Sequence, residues 1–330
     1  MTLSLRRPYV RQINYTRALW EALHDALEKD ERVFLVGEDI GVQGNIYGVT
    51  YGFIEEFGCR RIRNSPISEA AIIGAGIGAA ILGMRPVVEI MYIDFTNCAM
   101  DQIVNQAAKL HYMTGGKVKV PLVIRTQGGA GTGEASQHSQ SLEAFFVHVP
   151  GLKVVMPSTP YDAKGLLTAA IADENPVMFV ENKLLYTTTG DVPEESYAIP
   201  LGVADVKREG KDITIVATSK TVLDALEAAE ELAGKGIEAE VVDPRTLDPL
   251  DTDLLVSSVK KTGNLIVAHQ ACRTGGFGAE VIAQVAEAGI DARVKRVAGE
   301  NTPIPYSKPL EDRVLPSSSK IVEAALAMMN

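Results

Sequence analysis

Cysteine is scarce in this chain. Among 330 residues there are three, Cys59, Cys98 and Cys272, far apart and with no CxxC pair. So odd and scattered a set excludes a disulfide framework and a thiolate zinc site, and it suits a reducing cytoplasm. Each is expected to be a small core residue. Basic residues are short as well: 32 Lys and Arg against 42 Asp and Glu leave a net charge of −10. That argues against a nucleic-acid partner, which needs clustered Lys and Arg. Small anions stay open, since backbone amides and a bound metal can hold them. No apolar run reaches the ~20 residues of a membrane span. The longest lies between Glu69 and Arg85 and is rich in glycine. The first residues include arginines but no apolar core or small-residue cleavage site, so no leader is expected. Short repeats and low-complexity tracts are missing too.

What remains is an ordinary globular composition, long enough for two cores. Helical and strand patterns alternate. "YTRALWEALHDALEKD" reads as an amphipathic helix and "VFLVGED" as a buried strand; "PVVEIMY", "PLVIRTQ", "KVVMPS" and "PVMFVE" continue the strands. A helical pattern runs through "CAMDQIVNQAAKLHYM", and Thr159, Pro160 and Asp162 make a capped start for another helix. Continuous apolar strands between helices imply parallel sheets covered on both faces. The polar stretch 191–205 breaks the rhythm and reads as a linker. Beyond it, "ITIVAT", "EAEVVD", "NLIVAHQ" and "ARVKRVAG" alternate with the helices "VLDALEAAEELAGKG" and "GAEVIAQVAEAG". The expected fold class is α/β with two parallel-sheet domains, residues 1–190 and 206–330.

The stretch "NSPISEAAIIGAGIGAA", residues 64–80, poses a choice. Gly74, Gly76 and Ala79 have the spacing of a dinucleotide-binding turn, and Asp94 stands at a suitable distance for a ribose contact. That reading would make the chain an NAD-dependent oxidoreductase. Such a turn follows a buried strand, however, and "CRRIRNSPIS" carries three arginines and Pro66. The better reading starts a helix near Ser68 and ends it about Met84. Gly74 and Gly78 then lie four apart beside Ala71, Ala75 and Ala79, a thin face that lets another backbone approach. Glu69 falls in the first turn. It is either a helix-dipole carboxylate, stabilising by ~0.3–1 kcal/mol, or a desolvated carboxylate that shares a proton with a ligand.

The segments "PISEAAIIGAGIGAA", "EIMYIDFTNCAMDQIVNQAAK", "QHSQSLEAFFVHVPGLKVVMPSTPYDAKGLL", "ENKLLY", "GGFGAEV" and "NTPIPYSKPLED" together span nearly the whole chain. The chain resembles the β subunit of the thiamin-diphosphate-dependent decarboxylase component of 2-oxo acid dehydrogenase complexes, a group that includes acetoin dehydrogenase. The resemblance implies a pyrimidine-binding domain over 1–190 and a transketolase C-terminal-like domain over 206–330. It also implies an α2β2 tetramer, with thiamin diphosphate between the α and β chains, and a lipoyl-bearing dihydrolipoyl acyltransferase as a further partner. The family's Gly-Asp-Gly motif for magnesium and diphosphate is missing: at Gly37–Asp39 the matching residues are Glu38 and Asp39. Mg2+ is therefore expected on the α subunit. Glu69 matches the glutamate that bonds the aminopyrimidine ring nitrogen, promotes the imino tautomer and so lets the thiazolium carbon lose its proton. Phe95 matches the aromatic residue that packs on the aminopyrimidine, with Ile67 lining the same pocket. His138, in "GGAGTGEASQHSQ", matches the histidine that orients the substrate carboxylate and donates a proton during transfer to the lipoyl group. Leu122, Ala170, Ile171, Asp173 and Asn175 occupy the positions of a structural potassium site. The implied activity is 2-oxo acid decarboxylation or acetoin cleavage, then reductive acylation of lipoyl groups. Pyruvate- and acetoin-type β subunits look nearer than branched-chain ones.

Overall fold

The computed structural model describes residues 10–329; the arginine-bearing start that was read for a leader lies outside the described residues. The strand Val33–Gly37 shows how the sheets are built. All five residues are buried. Phe34 and Val36 enter one core with Ile72, Ile73, Val88 and Ile124, while Val33 and Leu35 enter another with Leu19, Leu23 and Phe179. Successive strand residues point to opposite faces, so a strand covered on both sides needs an unbroken apolar run.

Seven strands form the first sheet, in the order Thr246–Asp248, Lys153–Val155, Val177–Asn182, Val123–Gly128, Arg85–Ile90, Val33–Gly37, Ile62–Asn64. Every pair is parallel except the first. The second sheet runs Arg293–Gly299, Asn264–Cys272, Ile213–Ala217, Ala239–Asp243, Asp205–Arg208, and only the last pair is antiparallel. The arginine-bearing segment before the glycine stretch supplies a three-residue edge strand, where polar side chains reach water. The stretch read as a linker begins inside a strand: Thr189–Pro193 pairs antiparallel with Val10–Asn14.

The two halves interlock. Thr246–Asp248 belongs to the second half of the chain yet completes the edge of the first sheet. Val216, Val242, Leu265 and Val267 share a core with Ile73 and Val88. Buried Asp162 pairs with Lys207 at 2.6 Å and with Arg245 at 2.8 Å.

Thr159 caps the helix Pro160–Ala172 as its sequence implies, its hydroxyl accepting from Asp162 N at 3.1 Å. The pattern through "CAMDQIVNQAAKLHYM" forms three turns of different pitch: 3-10 over Ile93–Ala99, π over Gln102–Ala107 and α over Ala108–Met113. Thr96 bonds Ile93 O and Asn97 bonds Asp94 O, so side chains compete with the α ladder at its start. The cysteines differ from expectation. All three are exposed and free, because they sit on turns and a strand end beyond the sheet cores.

Candidate active site

Ser68 precedes a helix that runs Glu69–Ile81. Its glycines therefore lie inside a helix, where their amides bond to the preceding turn and cannot cradle a phosphate. That overturns the nicotinamide reading. Asp94, the candidate ribose contact, instead accepts from the backbone and side-chain amides of Gln140 at 3.2 and 2.8 Å. The helix packs against the strand Arg85–Ile90 and the turn Ile93–Ala99. Gly76 makes that approach possible: a Cβ there would stand 2.6 Å from Val88 Cγ1 and 3.0 Å from Leu122 Cδ1. Gly74 and Gly78 behave otherwise. A Cβ at Gly78 would meet nothing within 4 Å, and one at Gly74 only Gln102 Cγ at 3.9 Å. Within this chain the thin face is open.

Glu69 is half-buried at the first turn of this helix. Beside it stands Glu38, which follows Val33–Gly37 at the carboxyl end of that strand. Glu38 is buried, and its Oε1 has no partner among the described residues. Burial pushes the Glu38 carboxyl above its usual range, and the charge of Glu69 pushes it further. Sequence reasoning weighed Glu38 only as a failed metal motif. The signal was its position: an acid directly after a buried strand, where ligands gather in parallel α/β sheets.

Phe95 and His138 come together although 43 residues separate them. Their rings meet edge to face, with centroids 5.2 Å apart. Tyr92 flanks His138 on another side at 5.4 Å. Lys183, whose side chain is fully buried, donates to the His138 carbonyl and to Glu134. Burial raises the Glu134 carboxyl, but the bonds from Lys183 and Thr132 outweigh it and hold the group below its usual value. Lys183 lies in "ENKLLY", the one basic residue there, and had been given no role. Ile67 is 81% exposed, in the segment just before the helix Glu69–Ile81. A cleft of about 790 Å³ runs beside the histidine loop, lined by Ser139, Gln140, Gln270 and Asn301.

Beneath the site is a buried polar layer. Arg125 bonds Glu89 at 2.6 Å and forks onto both oxygens of Glu181 at 2.7 and 2.9 Å. Asn45 and Gln127 also donate to Glu89. Burial raises the Glu89 carboxyl, against the opposing pull of Arg125. His269 is a packed core histidine: burial pushes it down to about 4, and Nδ1 bonds Ala271 O at 3.1 Å.

Four of the five residues named for potassium line the end of the helix Pro160–Ala172, and the oxygens of Ala170, Ile171 and Asp173 already meet protein donors. Arg85 bonds the carbonyls of Ile171 and Asp173 at 2.9 and 3.0 Å. Asp173 N bonds Ala170 O, and the Asp173 carboxylate takes Lys153 and Asn175. Leu122 O, on the neighbouring segment, accepts from Val177 N at 2.8 Å. Oxygens of this kind suit a hard cation, through the second lone pair of each carbonyl, but Arg85 already brings positive charge to them.

Two covered parallel sheets, with an aromatic residue, a histidine and paired carboxylates near the strand ends, define one half of a cofactor-binding α/β enzyme. The pattern of the transketolase pyrimidine-binding domain matches residues 11–189, and that of the transketolase C-terminal domain matches residues 202–321. A solved structure described as a split-gene transketolase, an inactive β4 tetramer, has the same fold at a TM-score of 0.80 and 23% identity, over 96% of this chain and 98% of its own. The β subunit of acetoin:2,6-dichlorophenolindophenol oxidoreductase of Bacillus subtilis (strain 168) is 47% identical over 97% of this chain and 98% of its own length. The pyruvate dehydrogenase E1 component β subunit of Rickettsia felis is 43% identical over 95% and 97%. The chain belongs to the family of β subunits of the thiamin-diphosphate-dependent components of 2-oxo acid and acetoin dehydrogenases.

Proposed function

We propose that this chain pairs with an α subunit as α2β2, cleaves acetoin or decarboxylates a 2-oxo acid, and reductively acylates the lipoyl group of an acyltransferase component. The meeting of Phe95 and His138, beside the helix that opens at Glu69, carries the reading. Thiamin diphosphate, when bound, supplies a nucleophilic carbon and an electron sink. Glu69 holds a proton at the aminopyrimidine ring nitrogen. Glu38 stands next to it with a carboxyl biased toward its protonated form. Phe95 packs on the aminopyrimidine, and Ile67 completes that wall from the exposed edge. His138 orients the acyl group and donates a proton during transfer. Magnesium and the diphosphate fall to the α subunit, since no Gly-Asp-Gly turn stands in this chain. A structural potassium is proposed at the helix end of Ala170, Ile171, Asp173 and Asn175, with Leu122 beside it. Acetoin is the first substrate to test, because the relative at 47% identity carries that name. Among the described residues no helix is long and apolar enough to cross a membrane. Three free thiols support a cytoplasmic setting.

The test is to purify the chain with its α subunit and assay acetoin, pyruvate and branched 2-oxo acids. Glu69→Gln should fold and assemble but lose about a hundredfold or more in turnover. Near-wild-type turnover would rule out the proton role.

A further inference from the structure

The loop that carries His138 is held from the second domain. It leaves the strand Val123–Gly128 through Gly129, Ala130, Gly131, Thr132 and Gly133. Gly129 has φ +88°, and a Cβ there would stand 2.6 Å from Gln270 Oε1, so both the conformation and the closeness require glycine. Glu311, from the helix Lys308–Val314, is fully buried against this turn. Its Oε1 accepts from Gly131 N at 2.7 Å and from Gly133 N at 3.3 Å. Two amides converging on one carboxylate form a small anion nest. Gln270, on the strand Asn264–Cys272, reaches the same turn: its Nε2 donates to Ala130 O at 3.3 Å, and its Oε1 accepts from Asn182 at 2.7 Å. At the far end of the loop, Lys183 holds the His138 carbonyl.

We propose that Glu311 is a positioning residue for His138: its buried carboxylate, with Gln270, fixes the glycine turn so that the imidazole is held against Phe95. The C-terminal domain thereby completes the site rather than serving only as a docking module. The catalytic consequence rests on the function proposed above; the clamp itself does not. Bonds from backbone amides to a buried carboxylate are the strong kind, and among the described residues no other protein acceptor replaces Glu311 at Gly131 and Gly133. Among the described residues the Glu311 Oε2 has no partner, and the bonds the carboxylate makes there all go to this turn.

The experiment uses the assembled enzyme. Hydrogen exchange is followed by mass spectrometry on peptides spanning 129–140, beside kcat and KM for lipoyl acylation. Glu311→Ala should speed exchange at Gly131 and Gly133 about tenfold or more. It should lower kcat by a similar factor while KM for the 2-oxo substrate moves little. Glu311→Gln keeps one acceptor oxygen and should recover much of both; if the alanine variant fails to fold, Gln270→Ala, which loses the bond to Ala130 O, should speed exchange in the same peptides, and unchanged exchange there would overturn the clamp. Adding Glu311→Ala to His138→Ala should cost little more, since Glu311 acts through that imidazole. Glu69→Gln should leave loop exchange unchanged. Unchanged exchange in both Glu311 variants would overturn the clamp. Faster exchange with unchanged kcat would overturn the positioning role. If the wild-type enzyme turned over no thiamin-dependent substrate, the exchange data would still decide the clamp, and the proposed function alone would fall.

Discussion

Two alanine substitutions about 3 Å of helix rise apart should move stability in opposite directions. Gly76→Ala and Gly78→Ala both remove a helix-interior glycine, which by itself stabilises by roughly 1 kcal/mol. At Gly78 the new methyl meets nothing within 4 Å, so the chain alone should gain about that much. At Gly76 the methyl would stand 2.6 Å from Val88 Cγ1 and 3.0 Å from Leu122 Cδ1, both in the sheet core. Overpacking of that kind costs about 1–3 kcal/mol. The net for Gly76→Ala is a loss of about 0–2 kcal/mol, so the two variants should differ by about 1–3 kcal/mol. Urea unfolding of the chain without its partner reads this as a difference in midpoint at constant slope. Gly74 and Gly78 should matter in a second assay. If the open face receives the α subunit, Gly78→Ala should weaken association about tenfold or more in a titration, while Gly76→Ala should act mainly through folding. Equal loss of stability in both variants would refute the division of the glycines into an inward and an outward set.

Arg125→Met leaves Glu89 and Glu181 buried without their cation, which should cost about 3–5 kcal/mol at neutral pH. Glu89 already titrates above its usual value, and losing Arg125 raises it further. A folded-state value above the unfolded one stabilises at low pH and is lost as pH rises through it, so the penalty should shrink on acidification; a penalty flat between pH 4 and 8 would sink the argument. Replacing potassium by sodium should lower the melting midpoint if the proposed ion site is used, and by less than Arg85→Ala does, because Arg85 already bonds two of its carbonyls. A midpoint indifferent to potassium, with no ion retained in metal analysis, would remove that site.

Much of the fold was legible because burial on both faces leaves a mark. Continuous runs such as "VFLVG" and "ITIVA" can be nothing but interior strands between helices, and Thr159 with Asp162 announces a helix start chemically. What was illegible depended on partners far away in the chain. The strand Thr246–Asp248 has no strong pattern of its own and exists because Lys153–Val155 offers an open edge. The 98–113 segment reads as one helix, since periodicity does not register the side-chain bonds of Thr96 and Asn97 that compete with the α ladder just before it. Glu38 was visible as a letter, but its meaning came from the neighbouring charge of Glu69.

The sequence by itself determined the class of fold and the family, and it singled out Glu69 and His138 as the residues proposed for acid–base chemistry, because these depend on local pattern and on motifs that stay together along the chain. It also weighed against the dinucleotide reading, since the arginines before the glycine stretch do not suit an interior strand, and the helix Glu69–Ile81 then overturned it. Only the tertiary structure decided which glycine of that stretch packs inward, which carboxylate stands beside Glu69, and what holds the histidine loop. Each of those is a contact between different segments, from Gly76 on Val88, 12 residues on, to Glu311 on Gly131, 180 residues apart. Local sequence carries the propensity of a segment, but distance in space between two segments is set by how the whole chain packs.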